Sequence, residues 1–272
     1  MRVRNKGWDA FFFLLVTLGA LLVLIPLFWA LLGSFKSTSN VFTFALPEEW
    51  RFENYAIAFE HGTWLRYFAN SGIMAGGIAV SQTFFGAMAG FSLSKYEYPG
   101  RNLLFGLVIG TLTLSQQVVF VPMFQLVSAL GWIDTYRGLI IPLMVAPFSI
   151  FLTRQYMQGI TDSIIEVARI DGASEPRIFF QIIVPVSKPV LIVVFILSFT
   201  VFYNDLLWPL IVVRSDPMYT VSLALQQFKN AFYYRPELVL AITMLVIFPI
   251  TVIFLFLQKV FLRGVSIAGD KG

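Results

Sequence analysis

Six stretches of the chain are apolar enough and long enough to cross a bilayer: residues 11–32, 71–93, 103–127, 138–156, 186–210 and 238–258. A helix needs about 20 such residues to span about 30 Å of hydrocarbon. The pattern therefore predicts an all-α membrane protein with about six transmembrane helices, folded as a single transmembrane domain over 1–272. Pro26, Pro122, Pro142, Pro147, Pro209 and Pro249 fall inside or beside these stretches. In a bundle they predict kinks rather than ends, because neighbouring helices re-satisfy the freed backbone groups.

The polar remainder sets the topology. Arg2, Arg4 and Lys6 precede the first apolar run, which is too long for a signal-peptide core and lacks a small-x-small cleavage site, so a retained first helix is expected. With the N-terminus in the cytoplasm, 12 Lys and Arg residues fall inside, from Arg2 to Lys271, against 7 outside, from Lys36 to Arg235. That bias places both termini in the cytoplasm. The first outer loop, 34–70, is long and holds Pro47, Glu48, Glu49 and several aromatic residues. In the last outer loop Val221, Leu225, Phe228 and Phe232 have helical spacing and predict a short amphipathic helix. The four-residue glycine pairs Gly72/Gly76, Gly86/Gly90 and Gly106/Gly110 predict close helix packing rather than a site.

Composition narrows the chemistry. Charged residues make up 12% of the chain, about half the share of a soluble domain, and hydrophobic residues make up 58%. The absence of cysteine excludes disulfides, zinc-thiolate sites and iron–sulfur clusters, and His61, the only histidine, leaves no His-paired metal site. A membrane enzyme would need a catalytic cluster that these residues do not supply. The net charge of +4 is scattered between apolar blocks, which argues against nucleic acid as a partner. No G-x-x-x-x-G-K-[ST] phosphate loop is present, so the chain does not bind ATP by that route.

The inner loop 157–185, between the fourth and fifth stretches, carries the most information. Residues 161–185 read TDSIIEVARIDGASEPRIFFQIIVP. Ser163 and Glu166 fit an S-x-x-E capping box, Gly172 is placed to end the helix in a left-handed turn, and a second short helix can run from Ser174 to Pro185. The expected object is a helix-turn-helix knob across the cytoplasmic end of the bundle, with small and charged residues exposed.

These residues resemble the cytoplasmic signature of permease subunits of binding-protein-dependent ABC importers: E-A-A, three residues, G, nine residues, then I-x-L-P. Glu166-Val167-Ala168, Gly172 and Ile182-x-Val184-Pro185 occupy its positions, with Asp171-Gly172-Ala173-Ser174 as a further typical run. Asn70-Ser71, Pro99-Gly100-Arg101, Gly131-x-x-Asp134-Thr135-x-x-Gly138-Leu139-Ile140, Tyr203-Asn204-Asp205 with Trp208-Pro209-Leu210, and the tail Gly264–Gly272 extend the likeness to the MalG-like, carbohydrate-uptake branch. The resemblance implies that Glu166, Ala168, Asp171 and Gly172 couple the chain to an ATPase. It also implies a second, MalF-like permease subunit, two copies of the ATPase subunit that bind ATP and Mg, and an external solute-binding protein, all at a cytoplasmic (inner) membrane. No cofactor is expected in this chain itself.

Polar residues within the apolar stretches are candidates for the substrate path. Asp205 is the only acidic residue well inside a predicted span, Asn204 and Trp208 lie four apart on one helical face, and Gln116 sits mid-span in the third stretch. Sugars present C–H faces and hydroxyls, which aromatic rings, amides and carboxylates match; structural hydrogen bonding within the bundle is the competing reading. An ion-coupled secondary transporter is the alternative function, but it calls for paired repeats and more charge at mid-membrane.

Overall fold

The computed structural model describes residues 6–269. Arg2, Arg4 and Lys271, and the end of the tail motif at 270–272, lie outside the described residues, as do the side chains of Lys6, Lys259 and Arg263. Every regular element among the described residues is helical.

The chain divides into two compact units. The first comprises residues up to Thr63 together with Leu225–Pro249. It contains α1 (Lys6–Gly33), α2 (Glu53–Glu60), the latter part of α13 (Val221–Ala231) and the first part of α14 (Pro236–Gly269). The apolar run Phe11–Gly33 of α1 is long enough to cross a membrane, and none of its most apolar window is buried. After it the chain turns back on itself: Asn54 Nδ2 donates to the carbonyls of Ser34 and Lys36, both at 2.9 Å, fixing the path of that turn. Thr38 donates to Glu237 at 2.9 Å, which ties the same loop to the start of α14.

The second unit comprises Trp64–Ala224 and Ile250–Gly272. Its axis is α3 (Trp64–Lys95), which packs on α7 (Pro147–Gln158) and α11 (Lys188–Tyr203). Buried positions on α3 recur every three or four residues, through Ser71, Ala75, Ile78, Gln82, Gly86, Gly90 and Leu93. Gly86 and Gly90 let α7 approach: a Cβ on Gly86 would lie 2.9 Å from Ser149 Cβ, and one on Gly90 would lie 2.8 Å from the Arg154 backbone nitrogen. Thr153 Oγ1 uses the gap to donate to the Gly86 carbonyl at 2.7 Å. The other glycine pairs, Gly72/Gly76 and Gly106/Gly110, have open space where a Cβ would stand, so close packing within this chain holds for one pair of the three.

Three expected spans are broken. The stretch 103–127 divides into α4 (Arg101–Leu112) and α5 (Gln116–Ala129), bent by 102°. The break falls at Thr113–Ser115, where Ser115 turns extended (ψ 130°), and Pro122 is accommodated inside α5. The stretch 138–156 divides into α6 (Tyr136–Ile140), a 3-10 turn Ile141–Leu143, and α7, with a 44° bend. The stretch 186–210 ends at Tyr203 and resumes as α12 (Leu207–Val212). At its other end a 78° bend at Ser187 separates α11 from the inner-loop helices: α8 (Asp162–Ile170), α9 (Glu175–Ile178) and, after a π-helical turn Phe179–Ile183, α10 (Val184–Val186). The expected short amphipathic helix forms as α13, with Val221 and Phe228 buried and Gln227, Lys229 and Asn230 exposed.

Candidate coupling loop and membrane cleft

The loop 157–185 is built around a short helix with one buried and one exposed face. On α8, Ile165 and Ala168 are buried, while Ile164, Glu166, Val167, Ile170 and Asp171 are exposed. The buried pair joins a cluster with Ala87 and Phe91 of α3, Met157 of α7 and Ile178, Phe179 and Ile183 that follow. The helix ends in a Schellman motif: the Ala173 N–H donates to the Ala168 carbonyl at 2.9 Å and the Gly172 N–H to the Arg169 carbonyl at 3.0 Å. Gly172 has φ +77°, a conformation open to glycine at no steric cost. Ala168 and Ala173 complete the apolar contact of that motif.

The capping box does not form. The helix starts at Asp162 with Thr161 as N-cap, which puts Ser163 inside the first turn. Among the described residues the Glu166 carboxylate has no hydrogen-bond or ion-pair partner, and Glu166 is exposed.

Ionic contacts anchor the loop to the end of α3. Lys95 Nζ donates to the Ile160 carbonyl and forms a 2.6 Å ion pair with Asp162. Tyr96 OH donates to Glu175, whose other oxygen accepts from Arg169 Nε at 2.8 Å, and the Arg169 guanidinium lies 5.5 Å from the Tyr96 ring centroid. Arg169, and after it Tyr96, hold the Glu175 carboxyl below its ordinary value. Burial, with Glu175 beside it, pushes the Tyr96 hydroxyl up to about 12. These anchors escaped sequence reasoning; the signal was the Lys95-Tyr96 pair at the inner end of an apolar stretch.

A cleft of about 590 Å³ opens among α3, α4, α5, α7 and α11. Its lining is mainly apolar, with Gln82, Thr111, Gln116 and Ser198 as its polar members. Gln82 spans the bundle: Nε2 donates to the Leu143 carbonyl at 2.8 Å and Oε1 accepts from Ser198 at 2.8 Å. Gln116 lies at the first position of α5, beside the break, rather than in mid-helix, and it faces this cleft.

The other tentative path residues lie apart from the cleft lining. Asn204 caps the end of α11 and donates to the Thr200 carbonyl at 2.8 Å. Asp205 Oδ1 accepts from the Leu207 N–H at 3.1 Å, supporting the start of α12. Trp208 is fully buried, its indole N–H donating to the Gly138 carbonyl at 3.2 Å and its ring 5.4 Å from that of Phe120. The helix break at 204–206 removes the shared helical face expected for Asn204 and Trp208. Gln82 and Ser198, which sequence reasoning passed over, are the polar pair inside the cleft.

Comparisons with known proteins identify the family. The arabinooligosaccharides transport system permease protein AraQ of Bacillus subtilis (strain 168) is 35% identical over 93% of this chain and 92% of its own length. The sn-glycerol-3-phosphate transport system permease protein UgpE of Yersinia pestis is 29% identical over 96% of both chains. Diacetylchitobiose uptake system permease protein NgcG of Streptomyces coelicolor is 28% identical over 93% of this chain and 85% of its own. A chain in the crystal structure of a bacterial ABC transporter that imports alginate shares the fold, with a TM-score of 0.81 at 22% identity over 95% of this chain and 98% of that one. Residues 82–267, which include the loop 157–185 and the residues that line the cleft, match one family, and the chain belongs to the binding-protein-dependent transport system inner membrane components.

Proposed function

We propose that this chain is one of two permease subunits of an ATP-driven importer and forms half of the translocation path for a sugar or related solute. The observation that carries the reading is the coupling loop. A glycine-terminated helix is seated on the bundle core through Ile165 and Ala168, and it presents an unpartnered Glu166 beside exposed Val167, Ile170 and Asp171. A carboxylate with no partner among the described residues, on a helix fixed at both ends, suits docking into another subunit. The phosphate-loop motif is missing from the sequence, so ATP and Mg belong to two copies of a partner ATPase. Relatives named for oligosaccharide and glycerol-phosphate transport support a polyhydroxylated solute handed over by an external binding protein.

In this reading the chain acts as one permease domain with six crossings: α1, α3, the bent pairs α4–α5, α6–α7 and α9–α11, and α14. Both termini and the loop 157–185 face the cytoplasm, and a second, MalF-like permease completes the path. Closure of the ATPase pair displaces α8, and the Lys95–Asp162 and Tyr96–Glu175–Arg169 contacts carry that displacement to α3, one wall of the cleft. The energy enters from outside this chain, as a two-state switch requires. Gln82, Gln116 and Ser198 are the polar groups that the moving solute meets; Asn204, Asp205 and Trp208 shape the helix break at the outer end of α11.

The test is a mild-detergent purification of the tagged protein from its membrane, followed by mass spectrometry and ATPase assay. Recovery of a second permease and an ATPase whose turnover rises with binding protein and sugar is expected. Recovery of this chain alone, transporting without ATP, overturns the reading. In the assembled complex, Gly172→Trp is expected to lower transport at least tenfold while ATP hydrolysis persists, because φ +77° strains any side chain at the turn that positions Glu166. Wild-type transport by that variant removes the coupling role.

A further inference from the structure

We propose that the pocket at the C-terminal end of α1 holds the phosphate of a membrane phospholipid. The proposal needs the membrane location alone and is independent of how transport is driven. The apolar run Phe11–Gly33 has 23 residues, which is about 34 Å of helix. The residues that follow Gly33 therefore lie at headgroup level. There the chain folds around a polar pocket of about 540 Å³ lined by Lys36, Ser39, Asn40, Thr43 and Arg51.

Lys36 carries the argument. It is 3% exposed, and among the described residues its ammonium donates only to the Thr43 carbonyl at 2.7 Å and the Thr43 hydroxyl at 3.4 Å. Both acceptors are neutral, so a buried positive charge lines a cavity without a counter-charge of its own. Burying an ion unpaired is unfavourable, and an anion in the cavity relieves it. The other charged residues of the pocket are Glu48, Glu49 and Arg51; Glu49 and Arg51 form an exposed 3.5 Å pair with each other, and neither acid is paired with Lys36. Asn54 holds the Lys36 carbonyl, so the cation is set in place before any ligand arrives.

The apolar side chains of the same loop point to the source of the phosphate. Leu46 lines the pocket and is 71% exposed, and Phe42, Phe44 and Trp50, its neighbours along the loop, are 66%, 89% and 52% exposed. Such a concentration of exposed apolar and aromatic side chains beside a polar pocket suits the glycerol and acyl region of a leaflet, where aromatic belts collect. A free phosphate or sugar phosphate would use the cations and leave these side chains idle. Charge and apolar side chains together fit a phosphodiester that carries acyl chains.

The experiment uses the full chain, with the subunits that co-purify, delipidated in mild detergent and titrated with short-chain phosphatidylglycerol under native mass spectrometry. One lipid is expected to bind with an affinity at least tenfold weaker in Lys36→Met and about threefold weaker in Arg51→Gln. Phe44→Ser should also weaken the lipid. Equal binding by wild type and Lys36→Met overturns the proposal. If Lys36→Met is not recovered from the membrane, the exposed Arg51→Gln decides, and unchanged affinity there overturns it. Inorganic phosphate or glycerol 3-phosphate competing at the same concentration as the lipid, with Phe44→Ser neutral, makes the pocket a free-anion site and overturns the lipid assignment.

Discussion

Two long apolar helices of this chain, α1 and α3, carry similar signals in the sequence and end in different surroundings. None of the most apolar window of α1 is buried, against 39% of that of α3. The difference lies in what interrupts the apolar run. α3 carries small residues and one amide at helical spacing, Ala75, Ala79, Gln82, Gly86 and Gly90, and each is buried. α1 presents leucine, phenylalanine and valine on all sides, and these remain exposed. Apolar length announces the membrane; small and polar residues at three- and four-residue spacing announce contact with the chain's own bundle.

The largest expected effect follows from breaking the α3 side of this comparison. Gly90→Val would drive a side chain into Thr153 and the Arg154 backbone on α7, where even a Cβ falls at 2.8 Å from nitrogen. Backbone cannot yield as a side-chain tip can, so a loss of about 3 kcal/mol is expected, near the upper end for overpacking. Thermal unfolding of the purified protein in detergent measures it. A melting temperature within one degree of wild type would show that the α3–α7 seam accommodates the side chain and is not close-packed at Gly90.

Legibility in the sequence followed the same division. The membrane class, the apolar stretches and the turn at Gly172 were readable because each depends on local chemistry: run length, or a glycine at the one position that needs φ +77°. The helix breaks were hidden. At Thr113–Ser115 neither glycine nor proline marks the 102° bend, and Pro122 nearby suggested a kink in the wrong place. At 204–206 a signal existed, since Asn204-Asp205 is a pair that turns the backbone and Asp205 accepts from the N–H two residues on. The cleft residues were the least legible part, because a cleft is formed by elements distant in sequence: Gln82 meets Ser198 across 116 positions. Gln116 reached the cleft only through a break that the pattern did not reveal.

A smaller effect is expected at the N-terminal end of α3, where the bundle closes through polar contacts. Asn70 accepts from Tyr136 OH at 2.6 Å and donates to the Pro217 and Tyr219 carbonyls. Asp134, itself at φ +59°, accepts from the Arg214 and Ser215 N–H groups and from the Ser215 hydroxyl at 2.6 Å. Partial burial raises the Asp134 carboxyl, but those donors outweigh it and hold the group below its ordinary 3.8. A carboxylate whose folded pKa is depressed adds stability above the unfolded value and loses it as pH falls through the folded one. Asp134→Asn, which tolerates the same backbone, should cost about 1 kcal/mol at neutral pH after allowing for solvent exposure. The gap between variant and wild type should close below the ordinary carboxylate range. A gap that stays constant from pH 7 to pH 3 would exclude the charged form of Asp134 as its source.

The smallest effect tests the α1 side. Gly19 has no atom within 4 Å of where a Cβ would stand, in a helix whose flanks are exposed. In water Gly→Ala in a helix interior gains about 0.5–1 kcal/mol from the reduced freedom of the unfolded chain. A membrane helix stays helical when the bundle comes apart, so most of that gain disappears and Gly19→Ala should lie within about 0.5 kcal/mol of wild type. Gly19→Leu then separates the two possible covers of α1. Lipid adapts to an added isobutyl group, and the assembled complex should melt unchanged. A partner helix seated on Gly19 cannot adapt in that way, and the leucine should weaken subunit assembly while leaving the α3–α7 seam intact. Either outcome measures how far the contrast between the two helices is a contrast between bilayer and protein as solvent.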